Sequence, residues 1–429
     1  MRVNNQKLAK NENQENKALC ILPWIHAQLR QNGEVFPCCR AQDWYSYGST
    51  LTKTLDEVWN SEEIKKVRKE MLAGTAQSFC GDCYTTEKLG SQSYRQDMNK
   101  NYKDEFLRLE QTDPDGHLHN KDIIFFDIRF SNICNFKCRS CSPESSNSWY
   151  EDFKSIHQDW NEKKRVFKLS EGAFTLADIE RRLPQIQRIY FAGGEPLLDE
   201  NHYKVLEKLI EIGRADIQIS YNTNLSLLNY KNWSALKLWQ KLKHVEIGAS
   251  IDAIGPALGL IRKGANWEDI KNNLALIRLF NPKVSVRIYP TVSIMNCFLL
   301  PQLIGEFIES SYIKSSEHLK LNILNDPDYL NVSILTLDEI ERMETEYNIF
   351  IKSIEDKVNA GLLKYIETEL MGVVAYARHQ NLTHLRPAFR KYTFMLDKLR
   401  NEKTVQVIPE LFSVLYQDQQ KAHVDSKSI

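Results

Sequence analysis

The chain of 429 residues has no long apolar run, no excess of either charge and no even set of cysteines, and each absence excludes something. No stretch reaches the roughly 18 apolar residues that a membrane-spanning helix needs. There are 56 basic and 56 acidic residues, so no net field draws the molecule to nucleic acid or to an anionic membrane. The polar opening, Met1 to Lys17, lacks the apolar core of a signal peptide and reads as a flexible tail. Nine cysteines in a large chain, odd in number, argue against a disulfide framework. Eight of the nine precede residue 142. That clustering favours metal binding in a reducing, cytoplasmic compartment.

The densest group is Cys134-x3-Cys138-x2-Cys141. It directly follows an apolar run, Ile123 to Phe130, that reads as a buried strand ended by Ser131-Asn132. Three thiolates on a loop at a strand's C-terminal end can hold three irons of a four-iron cluster and leave the fourth open to a small molecule. Zinc is the alternative, but it normally takes four closed ligands, and the next His after Cys141 is His157.

Upstream, His26 to Arg30 and Glu34 to Phe36 flank Asn32-Gly33, a tight-turn signal that predicts a hairpin running into Pro37-Cys38-Cys39. Thr54 to Glu57 forms a capping box, and Ser61 opens a helix with Ile64, Val67, Met71 and Leu72 on one face, ended by Ala73-Gly74. Cys80-Gly-Asp-Cys83 is a two-ligand knuckle. Cys20, one of Cys38 and Cys39, Cys80 and Cys83 therefore make a four-sulfur set, for zinc or for iron–sulfur. A turn cluster at Asp113 to Gly116 suggests a domain boundary.

Five more strand-like runs follow the first, at Arg188–Ala192, Ile217–Tyr221, Val245–Ile251, Val284–Ile288 with an extension to Ile294, and Leu319–Ile323. Helix-length intervals between them predict repeated βαβ units and a parallel sheet. After the second strand comes Gly193-Gly194-Glu195-Pro196, and after the third Asn222-Thr223-Asn224. Ser250 and Asp252 share a face at the end of the fourth. Thr336–Val358, Gly361–Arg378 and Arg386–Arg400 carry helical apolar spacing.

The triplet after a first strand, with Gly-Gly-Glu-Pro one strand later, resembles the radical S-adenosylmethionine (SAM) enzymes. The resemblance implies an α/β fold, a partial (β/α)6 TIM-like barrel. It implies a cluster on Cys134, Cys138 and Cys141 whose open iron binds SAM. Reductive cleavage then gives a 5′-deoxyadenosyl radical that takes a hydrogen atom from a substrate. It further implies SAM contacts from Glu195 and the backbone of Gly193 and Gly194, and from Asn222, Asn224, Ser250 and Asp252. Arg262 could fork onto the SAM carboxylate, with a solvated surface arginine as the alternative. Some relatives use a lone thiol to return a hydrogen atom, a role open to Cys297, although a single Cys beside Phe298-Leu-Leu is more often a buried small residue.

The N-terminal cysteine pattern, with Gly33-x-Val35-x-Pro37-Cys38 inside it, is similar to SPASM and twitch auxiliary modules, in which four cysteines hold a second four-iron cluster. That pattern favours Cys38 over Cys39. Here the module precedes the core, whereas it usually follows. The expected organisation is a tail over 1–18, an auxiliary domain over 19–112, the barrel over 120–328, a helical extension over 329–416 and a tail over 417–429. The expected activity is hydrogen abstraction from a peptide or protein, with a flavodoxin- or ferredoxin-type reductant. The alternatives are oxidation of a sugar-type small molecule and a non-catalytic iron–sulfur sensor or electron carrier. Neither nucleic acid nor membrane is an expected partner.

Overall fold

A computed structural model of the chain describes residues 16–88, 92–169 and 176–416. The two segments expected to be tails lie outside these residues, apart from 16–18. The chain divides into two compact units, 1–131 with 168–190 and 132–167 with 191–429.

In the first unit the expected hairpin forms from β1 (His26–Leu29) and β2 (Glu34–Phe36), antiparallel, with β3 (Gly48–Ser49) beyond β2. Gly33 makes the turn at φ +82°, a conformation that costs glycine little. β1 also pairs, in parallel, with β4 (Phe125–Ile128), the strand before the cysteine triplet, in the register Gln28 to Asp127. This unit therefore runs past the turn cluster at Asp113 to Gly116. The Thr54–Glu57 capping box closes as read, and the helix Glu62–Leu72 buries Ile64, Val67 and Met71.

In the second unit β5 (Lys137–Cys138) lies in the cysteine loop. β6 (Arg188–Phe191) spans the point where the chain passes between units. β7 (Gln218–Thr223), β10 (His244–Ala249) and β12 (Ser285–Ile288) pair in parallel in the order β7-β10-β12. β8 (Asn229–Tyr230) and β9 (Trp233–Ser234) form a small ribbon. β10 shows the alternation expected of a sheet covered on one side, with Val245, Ile247 and Ala249 buried and His244 and Glu246 exposed. Helices Glu200–Glu211 and Trp267–Phe280 alternate with these strands. β11 (Arg262–Lys263) pairs with β5, and β13 (Thr291–Val292) pairs in parallel with β14 (Asn322–Ile323). The last barrel strand is thus shorter than its apolar run. Helices Leu337–Ser353, Ala360–His379 and Arg386–Arg400 complete the unit.

Candidate metal centres and cofactor site

The triplet loop is held by its own polar side chains. Asn132, fully buried, donates to the carbonyls of Pro143 (2.8 Å) and Arg165 (3.1 Å) and accepts from the Phe167 N–H (2.9 Å). Asn147 accepts from the Cys134 N–H at 3.0 Å, Ser148 donates to the Cys134 carbonyl at 2.6 Å, and the Trp149 indole donates to the Cys138 carbonyl at 2.6 Å. Each bond fixes a backbone group beside a cysteine, so the sulfurs are presented by a rigid loop rather than by a flexible one.

The three thiols lie within one another's electrostatic reach. A hydrogen bond from Cys141 draws the Cys138 thiol below its ordinary pKa. Burial opposes this and Arg262 assists it. Cys141 is pushed up by the same bond and by burial. Burial, then Cys138 and Glu195, raises Cys134 to about 12. Thiols this reluctant to ionise alone become thiolates when iron compensates their charge. Among the described residues, no three Cys, His, Asp or Glu side chains are gathered to grip a single bare ion. An all-sulfur set spread around a loop suits a cubane, which takes one thiolate per corner.

Around the loop stand the residues singled out from the sequence. Gly193 adopts φ +118°. A Cβ on Gly194 would lie 2.2 Å from the Ile133 carbonyl oxygen and 2.7 Å from the Asn132 carbonyl carbon. The glycine pair thus lets this strand end press against the start of the cysteine loop, and the Glu195 N–H donates to the Ile133 carbonyl at 2.8 Å. The Glu195 carboxylate is buried. It accepts from the Leu197 N–H (3.0 Å), the Thr223 hydroxyl (2.7 Å) and the Asn224 N–H (2.8 Å), which ties the second strand end to the third. Asn224 donates to Asn135 of the cysteine loop at 3.0 Å. Asn222 lies opposite Gly248 in the β7–β10 register, where a Cβ would come within 2.5 Å of the Asn222 Oδ1. The Ser250 N–H donates to the Thr223 carbonyl at 2.9 Å.

Arg262 is not a solvated surface arginine. It is the cross-strand partner of Cys138 in the β5–β11 ladder. Its fork is taken by Asp252, with Nε to Oδ2 at 2.7 Å and Nη2 to Oδ1 at 2.9 Å, while Nη1 reaches the Cys138 sulfur at 3.9 Å. Asp252 also accepts from the Thr291 N–H at 2.8 Å. The two residues form one largely buried unit, a carboxylate that aims a guanidinium at the Cys138 sulfur. Cys297 is fully buried; its thiol donates to the Ile294 carbonyl at 3.7 Å, and burial raises its pKa.

Sequence reading missed a clamp from the C-terminal helices. Arg139, buried within the triplet, donates to Asp397 (2.6 Å) and Glu402 (2.7 Å), and Tyr392 donates to the Arg139 carbonyl at 2.5 Å. Arg400 pairs with Asp152 at 2.8 Å and lies over the Trp149 ring. No local motif marks partners some 250 residues apart; the one signal was an arginine between two cysteines of the triplet.

In the first unit, Cys20 precedes the helix Leu22–Ile25, Cys38 follows β2, and Cys80 and Cys83 flank the start of the helix Gly81–Lys88. Cys20, Cys38 and Cys83 are buried. Burial comes first in raising all four thiols, bringing Cys20 to about 12. Mutual repulsion adds to it: Cys38 feels Cys20 and Cys80, Cys80 feels Cys20 and Cys83, and Cys20 feels Cys83. Four sulfurs within one another's fields, with the Arg95 cation beside them, fit a second cluster. The adjacent Cys39 is exposed, and its neighbours are Asp127, Arg40 and Arg129.

Comparison with known families agrees with this geometry. Residues 128–291 match the radical SAM superfamily, and residues 20–84 match the SPASM iron–sulfur cluster-binding domain. No curated protein matches the chain. The chain carries a radical SAM domain, which marks an enzyme of that class and implies a partial barrel, a four-iron cluster and SAM. More particularly, it is a radical SAM enzyme whose SPASM iron–sulfur domain stands ahead of the barrel in the chain. No helix among the described residues is long and apolar enough to cross a membrane.

Proposed function

We infer that the protein takes a hydrogen atom from a peptide or protein substrate. When bound, the cluster and SAM supply the carbon-centred radical that this step uses; the chain's own residues hold, orient and enclose. In this reading Cys134, Cys138 and Cys141 ligate the SAM-binding cluster, and Cys20, Cys38, Cys80 and Cys83 the auxiliary one. Glu195, the backbone of Gly193 and Gly194, Asn222, Asn224 and Ser250 line the SAM site. Asp252 orients Arg262, whose cation steadies the charge on the Cys138 sulfur. Cys297 packs the core. An external flavodoxin- or ferredoxin-type carrier delivers the electron, as expected of a cytoplasmic protein. Cys20, Cys38, Cys80 and Cys83 would hold the auxiliary cluster, which there could take up or relay the electron left after hydrogen abstraction.

The observation that carries the reading is three cysteines on one fixed loop, with Glu195 bonded to the start of that loop and Arg262 against the Cys138 sulfur. The test is anaerobic reconstitution of the full chain, addition of SAM and dithionite, and assay for 5′-deoxyadenosine, followed by the same reaction with a peptide library read by mass change. Absence of 5′-deoxyadenosine from protein with both clusters intact would sink the radical assignment. 5′-Deoxyadenosine formed without modification of any peptide, but with oxidation of a sugar, would replace the substrate class.

A further inference from the structure

Two stretches of the sequence contain no acidic residue, Ile217 to Val245 and Ile270 to Gly305, although the chain as a whole has as many acidic as basic residues. Folding brings parts of both together. The ends of the helices Ala235–Trp239 and Trp267–Phe280 and the starts of β10 and β12 enclose an open cavity of about 190 Å³. Trp239, Leu242 and Val245 line it and are buried, and Phe280 lines it while 50% exposed. The Gln240 amide donates to the Phe280 carbonyl at 3.0 Å, and the Asn281 amide to the Leu236 carbonyl at 3.1 Å. These bonds tie the two helix ends together and fix their spacing. Apolar surface continues outside the cavity. Leu276 stands one turn before Phe280 and is 38% exposed, and Leu279, one turn after Leu276, is 71% exposed.

The charge is of one sign. Lys243 and Lys283 line the cavity and are exposed, and no carboxylate lines it. Among the described residues neither lysine is in an ion pair. Asp216, whose field reaches Lys243, is itself held by Arg214 at 3.0 Å. An apolar cavity of about 150 Å³ holds a benzene ring, so one aromatic or branched aliphatic side chain fits here. Two uncompensated ammoniums favour carboxylates beside that side chain. A small free acid would leave Leu276 and Leu279 uncovered, whereas a protein surface covers them; an anchor side chain in a pocket is how such surfaces hold. We propose that this cavity docks a partner protein through an acidic segment that inserts one aromatic or branched aliphatic side chain. Asn222, Ser250 and Asp252 lie at the other ends of these strands, so the docked partner leaves the candidate SAM site free.

The experiment uses the cluster-loaded full chain. A library of short N-acetylated, C-amidated peptides carries one phenylalanine, tryptophan or leucine among aspartates and glutamates. Matched libraries replace the acids by lysine or the anchor by alanine, and retention is read by ultrafiltration and mass spectrometry. Wild type is expected to retain the anchored acidic library at least tenfold over either match. Lys243→Glu with Lys283→Glu, and separately Leu279→Ser with Phe280→Ser, should each lower that retention at least tenfold. Iron content, melting temperature and uncoupled 5′-deoxyadenosine formation should hold in both variants. Equal retention of either matched library, or unchanged retention by either variant, overturns the docking site. Retention of phenylpropanoate but of no peptide overturns it in favour of a free acid. Self-association of wild type that both variants abolish overturns it in favour of a second copy. The expected retention in protein that forms no 5′-deoxyadenosine still supports the site, which does not rest on the radical assignment.

Discussion

Gly194→Ala is the sharpest single perturbation of the candidate SAM site. The new methyl would meet the Ile133 oxygen at 2.2 Å and two backbone carbons at 2.7 Å, far inside the roughly 3.5 Å at which such contacts turn favourable. All three atoms are backbone, so no rotamer change relieves the clash. The loop cannot retreat freely either, because Asn132 bonds to Pro143, Arg165 and Phe167. Relief requires breaking the 2.8 Å bond from the Glu195 N–H to Ile133, a loss of about 1 kcal/mol, on top of about 1–3 kcal/mol of overpacking. The sum, about 2–4 kcal/mol, is below the roughly 5–15 kcal/mol that holds a domain folded. The variant should therefore fold with the cysteine loop displaced. After anaerobic reconstitution, iron should fall from about eight to about four per chain, the SAM-responsive electron paramagnetic resonance signal should vanish, and the auxiliary signal should remain. Full iron with an unchanged response to SAM would refute the reasoning.

Three further outcomes are expected. Cys38→Ser should lose the auxiliary cluster and Cys39→Ser should keep it, as iron and sulfide analysis will read, because only Cys38 sits among Cys20 and Cys80. Arg262→Met strands the Asp252 carboxylate in a site where it is 1% exposed, costing about 3–5 kcal/mol in urea unfolding. It should also make the SAM-binding cluster harder to reduce, and an unchanged midpoint in a redox titration would count against the contact with Cys138. Burial lowers His202 from 6.5 to about 3, so its stabilising effect is complete above pH 6.5 and is lost as pH falls toward 3, at about 1.4 kcal/mol per unit. His202→Gln should flatten that acid limb in urea unfolding followed against pH.

Much of this was legible in the sequence. Glycine, capping and apolar spacing are local signals, so the Gly33 turn, the Thr54–Glu57 box and the helix Arg386–Arg400 appear where they are read. Two-residue strands carry no period, so the β5–β11 ladder that delivers Arg262 to Cys138 was invisible. The run from Ile123 to Phe130 was read as an apolar strand, and the polar Asp127 within it was passed over. A carboxylate in such a run signals a buried polar contact, here with Gln28 and Arg129, since charged groups seldom go inside without a partner. The clamp on Arg139 depends on packing between distant segments, which no local pattern encodes.

That clamp also bears on biosynthesis. Tyr392, Asp397 and Glu402 brace a loop made more than 250 residues before them. While the chain is still on the ribosome, the three cysteines are synthesised and exposed long before their brace has emerged. The braced form of that loop therefore exists only once the segment through Glu402 has been made. The loop thus depends for its stiffness on a distant segment, whereas Cys20, Cys38, Cys80 and Cys83 do not wait for this brace.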